Sequence, residues 1–274
     1  MLTEHQLNEI QQLQQECEQY DGIQLKLNIP TLSSRKEECE ILHYGREKLA
    51  AFIAFYKFGN EVEVCGMVHP DYRRKGVFSL LFDRLMAMIP DGEQILLNAP
   101  AGSLSAKKWL EKHRASYEFS EIQMKWNPLF PLEQDGGATP VTLRKAMPKD
   151  VPFQMELDAL CFGIKDAQAS DYDGPFKEGS GKDAYMIGHN GAAVGKIQVS
   201  RNKDETWING FAIHPDEQGK GIGASALRQT VSLEAQRQED LRLEVAVKNE
   251  RALQLYKRSG FEAYHTQDYY AYAR

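Results

Sequence analysis

The segment Gln218-Gly219-Lys220-Gly221-Ile222-Gly223-Ala224 carries the clearest chemical signal in the sequence. A strand-like run ending at Ile213 precedes it, and a run with helical spacing of apolar residues follows. Its glycines leave backbone N–H groups uncovered where a helix begins. Those donors and the helix dipole form an anion site suited to a pyrophosphate. The device recurs at an offset of 145 residues, where Val68-His69-Pro70-Asp71-Tyr72-Arg73-Arg74-Lys75-Gly76 matches Ile213-His214-Pro215-Asp216-Glu217-Gln218-Gly219-Lys220-Gly221. So long a period indicates duplicated domains, because solenoid repeats run to about 20–50 residues.

The elements that must position these segments are mixed. In the second half, Val141–Ala146 reads as a strand and Asp150–Cys161 as a helix. Two apolar runs flank His189-Asn190-Gly191, an Asn-Gly hairpin signal. Trp207–Ile213 and Leu241–Val247 read as strands, and Ile222–Gln236 as a helix. Asn249–Ser259 reads as a helix capped by Asn249 and closed by Gly260, before one or two final strands over Phe261–Tyr272. The first half repeats this order, with strands at Glu38–Tyr44, Leu49–Phe58, Glu61–Val68, Gln94–Asn98 and Phe119–Trp126 and helices at Val77–Ile89 and Ser103–His113. It opens on a polar helix over residues 3–20, where the second half opens on a strand. The proline-rich stretch Asn127–Pro140, with Gly136-Gly137, cannot continue a helix or a central strand. The expected organisation is a domain at 1–127, a linker at 128–140 and a domain at 141–274.

Other phosphate-binding patterns compete for the glycine turn. The Walker pattern fails, because Gly221 follows Lys220 and His214 stands where glycine is required. The Rossmann pattern G-x-G-x-x-[GA] does match at Gly219, Gly221 and Ala224, with Glu244 25 residues after Gly219. Against it stand the five residues between the strand and Gly219, the short remainder after Glu244, and the hairpins before the motif. A dinucleotide enzyme stays as a competing reading.

Length and composition agree with two globular domains. The chain has 274 residues, 42% apolar and 26% charged, and a net charge of −6 shared equally between its halves. Neither half has the basic excess that phosphate backbones demand, so nucleic acid is not an expected partner. No apolar run approaches the roughly 20 residues of a membrane span, and Met1–Gln6 lacks the features of a signal peptide. Cys17, Cys39, Cys65 and Cys161 are widely spaced, which predicts reduced thiols, a cytoplasmic protein and no metal site.

The turn fits [QR]-x-x-G-x-[GA], and Asn249-Glu250-Arg251-Ala252-Leu253-Gln254-Leu255-Tyr256-Lys257-Arg258-Ser259-Gly260-Phe261 fits N-x-x-A-x-x-L-Y-x-x-x-G-F. Together and in this order they resemble the GNAT acetyltransferases, over about 130 residues of the second half. With the internal repeat, the whole resembles a tandem-GNAT protein. The resemblance implies an α+β fold of two GNAT-like domains, each a mostly antiparallel mixed sheet flanked by helices. It implies acetyl-CoA as co-substrate and an amine acceptor. Gln218, Gly219, Lys220, Gly221, Ile222, Gly223 and Ala224 would hold the pyrophosphate. Phe211, Ala212 and Ile213 would pair with the pantetheine arm and polarise the thioester. Asn249 would bond the cofactor near its pantetheine, and Tyr256 would protonate the leaving thiolate, as a phenol of pKa about 10 can do.

The base is open. Glu244, in Leu243-Glu244-Val245, has a context seen in family members where Glu acts through water. Its alternative is a solvated strand face, salt-bridged to Arg242. The first half departs from the pattern. Val68, Arg73, Arg74, Lys75, Gly76 and Val77 are the candidates for a second CoA site, but Phe78 replaces the last small residue. Trp109 or Leu110 stands where Tyr256 would fall, so a scaffold role is expected there. His69 and His214 read as surface turn residues. Tyr264, Tyr269, Tyr270 and Tyr272 read as a terminal strand with one buried face. The acidic loop Asp166–Glu178 faces either solvent or a cationic acceptor. The favoured function is N-acetyl transfer by direct attack in the second half, in a monomer or homodimer. The alternative is an acyl-CoA-binding regulatory or scaffold protein without turnover.

Overall fold

The computed structural model describes residues 2–34, 38–46, 48–58, 61–131, 139–165, 167–202, 205–237 and 240–274. The chain divides into two compact units, Met1–Glu121 with His265–Arg274, and Ile122–Tyr264.

The first unit opens with α1 (Glu4–Asp21) and α2 (Ile29–Ser34). Helix α1 starts in a capping box between Thr3 and Gln6, and turns Ile10, Leu13 and Cys17 inward. Strands β1 (Glu40–Tyr44), β2 (Leu49–Phe58) and β3 (Glu61–Val68) form an antiparallel meander. Strand β2 is almost wholly apolar because both its faces are buried. Ala51, Ile53 and Phe55 join one core, and Phe52, Ala54 and Tyr56 join the core under α1. After α3 (Val77–Met86), β4 (Gln94–Pro100) returns parallel to β3. Then come α4 (Leu104–Leu110) and β5 (Ala115–Trp126).

After an additional strand, β6 (Thr142–Lys145), the second unit has the same order, with no counterpart of α2 among the described residues. Helix α5 (Val151–Phe162) precedes β7 (Lys182–His189), β8 (Ala192–Arg201) and β9 (Glu205–Ile213). At the β7–β8 hairpin, Asn190 (φ 51°) and Gly191 (φ 82°) both lie in the left-handed region, as a type I′ turn requires. Helix α6 (Ile222–Ala235) leads to β10 (Asp240–Ala246), parallel to β9, and then to α7 (Glu250–Arg258) and β11 (Phe261–Tyr272). One core gathers Ile197, Ile208, Leu227, Val231, Leu243 and Tyr256.

The sequence expectation placed 141–274 in one domain. The structure instead clusters His265–Arg274 with the first unit, where Gln267–Tyr272 pair with Pro100–Ile95 of β4. The expected linker falls within the second unit, and its residues 132–138 lie outside the described residues. The repeat also runs further than the sequence showed. The Cys17 thiol on α1 donates to the Val68 carbonyl, and the Cys161 thiol on α5 donates to the Ile213 carbonyl, both at 3.5 Å. Helix α5 is therefore the counterpart of α1, and β6 is an addition. None of the four cysteines forms a disulfide. Among the described residues, no helix is long and apolar enough to cross a membrane, and no cluster of metal-ligand side chains is present.

Candidate functional site

Strand β9 carries a bulge where the site begins. Gln198 pairs with Asn209 and Lys196 with Ala212, so Gly210 and Phe211 stand opposite Ile197 alone. Gly210 has φ 52°, which lets the extra residue be accommodated. Just before the bulge, β9 parts from β10. Their described pairing runs from Glu205↔Asp240 to Ile208↔Leu243, although β9 continues to Ile213 and β10 to Ala246. The parting strands open a gap beside Phe211–Ile213, in which the Ile213 carbonyl already accepts from the Gln218 amide and the Cys161 thiol.

The glycine turn is built by its own side chains. His214 caps a short 3-10 turn at Pro215–Glu217, its Nδ1 accepting from the Asp216 N–H at 3.3 Å. Gln218 Nε2 donates to the Ile213 carbonyl (2.9 Å), tying the turn to the end of β9, while its Oε1 accepts from Arg251 of α7 at 3.1 Å. Gly219 (φ 82°) and Gly221 (φ 79°) hold left-handed conformations that side chains resist. Among the described residues no side chain caps α6 at Gly221, so its first N–H groups are open to a ligand.

Helix α7 sets the other wall. Asn249 Oδ1 accepts from the Ala252 N–H (3.1 Å), which leaves its Nδ2 as the donor it can offer a ligand. Tyr256, 7% exposed, packs edge-on to Phe261, and its hydroxyl has no partner among the described residues. Burial alone pushes its phenol up to about 12, so it holds its proton throughout the neutral range.

A cavity of about 1030 Å³ joins these parts. Phe211, Ala212, Ile213, Gln218, Gly219, Gly221, Gly223, Ala224, Asn249 and Tyr256, all expected from sequence, line it. Three expected residues do not. Lys220 turns its ammonium to Glu217 (2.9 Å), and the Ile222 side chain is in the core. Glu244 stands on the other face of β10 from Leu243 and Val245, at the first residue past the last β9–β10 pair, and accepts from Gln123 Nε2 at 2.7 Å. Arg242, on the same face as Glu244, pairs with Glu205 (2.6 Å) and Asp240 (3.2 Å).

Sequence reasoning missed several lining residues. Phe130 and Pro131 of the expected linker line the cavity, with the Phe130 ring lying on Gly260. Thr139 Oγ1 donates to the Lys220 carbonyl at 2.6 Å, beside Gly221. The only available signal was an aromatic residue between two prolines. Cys161 also lines the cavity, and burial raises its thiol pKa. Under α5, the Lys196 ammonium, 2% exposed, meets Asp158 at 2.5 Å, and Asp158 also accepts from the Tyr172 hydroxyl at 2.5 Å. Desolvation lowers the Lys196 pKa and raises that of Tyr172. Tyr172 belongs to the acidic loop and anchors it there.

The first unit has the corresponding turn but a different cleft. Arg73 Nε donates to the Val68 carbonyl (2.9 Å), as Gln218 does to Ile213, and its Nη1 meets Asp21 at 2.8 Å. His69, expected at the surface, is buried against Glu16 (2.9 Å) and Lys48 (2.8 Å). Strands β3 and β4 part after Val64↔Leu97, yet the β2–β3 register is unbroken and has no bulge. The Phe78 ring, at the position of Gly223, lies on Gly66 of β3 and meets Trp109 edge-on at 4.8 Å. About 360 Å³ of cavity is left.

Residues 152–261 match the model of the acetyltransferase (GNAT) family. No curated protein matches the sequence. Among solved structures, the chain is similar to a GCN5-related N-acetyltransferase from Sphaerobacter thermophilus, at 19% identity over 96% of this chain and 91% of that one, with a TM-score of 0.79. It is similar to a tandem GNAT protein from the clavulanic acid biosynthesis pathway, at 14% identity over 97% and 94%, with a TM-score of 0.67. It is also similar to a GNAT-family acetyltransferase from Colwellia psychrerythraea, at 12% identity over 97% of each, with a TM-score of 0.66. At such identities the likeness is one of fold. The chain as a whole has the fold of tandem GNAT proteins.

Proposed function

We propose that this chain is an acetyl-CoA-dependent N-acetyltransferase whose chemistry takes place in the second unit. The observation that carries this reading is the single cavity joining the bare amides of the Gln218–Ala224 turn, the bulged strand at Phe211–Ile213 and the unpartnered Tyr256 hydroxyl. The turn amides and Arg251 hold the pyrophosphate. The backbone of Phe211–Ile213 pairs with the pantetheine arm and donates to the thioester oxygen as it gains charge. The neutral amine attacks the carbonyl carbon, the C–S bond breaks, and Tyr256 gives its proton to the departing sulfur. Glu244, at the fork where β9 and β10 separate, takes the proton from the amine through water.

That none of the four cysteines forms a disulfide agrees with a cytoplasmic setting. The test is titration with acetyl-CoA followed by transfer to a panel of amines. Saturable binding and CoA release that depends on an amine support the reading. Binding with no transfer to any amine returns the non-catalytic alternative, and stabilisation by NAD instead of acetyl-CoA returns the dinucleotide one.

A further inference from the structure

The cleft of the first unit is not an empty copy of the second. Its deep part is apolar, with Val64 and Leu97 on the parting strands and Phe78, Phe82 and Trp109 across from them. At the roughly 30 Å³ that a water occupies in the liquid, its 360 Å³ holds about a dozen heavy atoms. That is far less than a coenzyme A needs, and the Phe78 ring on Gly66 stands where a pantetheine arm would enter.

The rim has one sign of charge. Arg73, Arg74, Lys108 and Lys112 line the cavity, and among the described lining residues Asp21 is the only carboxylate. Arg73 already neutralises Asp21. Arg74, Lys108 and Lys112 have no partner among the described residues. Arg74 also holds φ 63°, where the repeat has Gly219. A non-glycine residue kept in that region is conformationally strained, and such outliers concentrate at ligand-contacting loops.

We infer that this cleft binds a small apolar carboxylic acid as its anion, with the hydrocarbon body against the packed rings of Phe78, Phe82 and Trp109 and the carboxylate on Arg74 and Lys108. The planar guanidinium of Arg74 suits a carboxylate in a paired contact. The inference rests on the first unit alone and does not require the second to be an acetyltransferase.

Octanoate, with about ten heavy atoms, is the probe, and at ordinary ligand efficiency its Kd falls at about 0.1–1 mM. Binding to the full chain is read by tryptophan fluorescence, with Trp109→Phe separating the local signal from those of Trp126 and Trp207. The expected result is a saturable change that disappears in Trp109→Phe, with octylammonium weaker by about tenfold or more and with the Arg74→Ala/Lys108→Ala double variant weaker by a similar factor. Equal affinity for octylammonium, or no saturable change with octanoate, overturns the inference. So does coenzyme A competing with octanoate in a Gly223→Phe protein, whose second cleft is plugged. Should acetyl-CoA fail to bind the wild-type chain while octanoate binds, the acetyltransferase reading fails and this one stands. If the double variant does not fold, the comparison of the two octyl probes on wild-type protein decides alone.

Discussion

Replacing Tyr256 with Phe removes one hydroxyl from a wall of the larger cavity. That hydroxyl has no partner among the described residues, so the change breaks no hydrogen bond and leaves no buried group orphaned. Stability should therefore move by less than about 0.5 kcal/mol, and acetyl-CoA affinity by less than about twofold. The loss should fall on kcat. General acid catalysis contributes about 10²–10⁴-fold, or about 3–5 kcal/mol of barrier at 1.36 kcal/mol per decade. The pH profile gives a second reading. With a pKa of about 12, the phenol is protonated below that value and lost as a donor only as pH rises through it. An alkaline limb below about pH 10 in the wild-type profile must then belong to another group, and it should persist in the variant. Steady-state kinetics with a competent amine, alongside calorimetric titration of acetyl-CoA, measures each quantity. A Tyr256→Phe protein with wild-type kcat at saturating acetyl-CoA refutes the assignment of the acid. An alkaline limb that vanishes with the hydroxyl keeps the phenol as the acid and refutes its raised pKa instead.

Three further predictions concern other parts of the fold. Gly223→Phe copies Phe78 into the second unit and should weaken acetyl-CoA binding by about 100-fold or more while the helix persists, as calorimetric titration and circular dichroism will show. Glu244→Gln keeps an oxygen for Gln123 Nε2. It should lower kcat/KM for the amine by about tenfold or more with an unchanged Kd for acetyl-CoA, and equal rates would remove Glu244 from the chemistry. Asp158→Ala leaves the buried Lys196 ammonium without its carboxylate. It should cost about 3–5 kcal/mol in urea unfolding, whereas an Asp158→Ala/Lys196→Met double variant should recover most of that loss.

Much of this architecture was written in local signals. Asn190-Gly191 specifies its hairpin because both residues accept positive φ. Asn249 and Gly260 mark the ends of α7 through capping chemistry that sequence displays. The glycine turn at Gln218–Ala224 was legible for the same reason, since its glycines answer a local backbone demand. What sequence hid is non-local. The bulge at Gly210 needs a register with β8, and a lone glycine in a strand states only that something interrupts the ladder. Phe130 reaches the cavity by lying on Gly260 just after α7, and Thr139 reaches the turn through the Lys220 carbonyl, which no spacing announces. Glu244 was read correctly as a strand residue with one polar face, but its place at the fork depends on where two parallel strands separate. The kinship of α1 and α5 was concealed by composition, one being rich in Gln and Glu and the other apolar.

The membership of His265–Arg274 in the first unit bears on how the protein comes off the ribosome. The Arg274 guanidinium bonds to the carbonyls of Met86 (2.9 Å) and Ile89 (2.6 Å), and the Ala101 N–H donates to the Thr266 carbonyl at 3.0 Å. None of these contacts can form while residues 122–264 are still being translated. At about 5–20 residues per second, the nascent first unit waits roughly 7–30 s for its last strand, with the side of β4 that β11 will pair exposed meanwhile. A chain interrupted within the second unit therefore leaves the earlier one unfinished as well, and folding of the first unit should be completed only once residues 265–274 have been made.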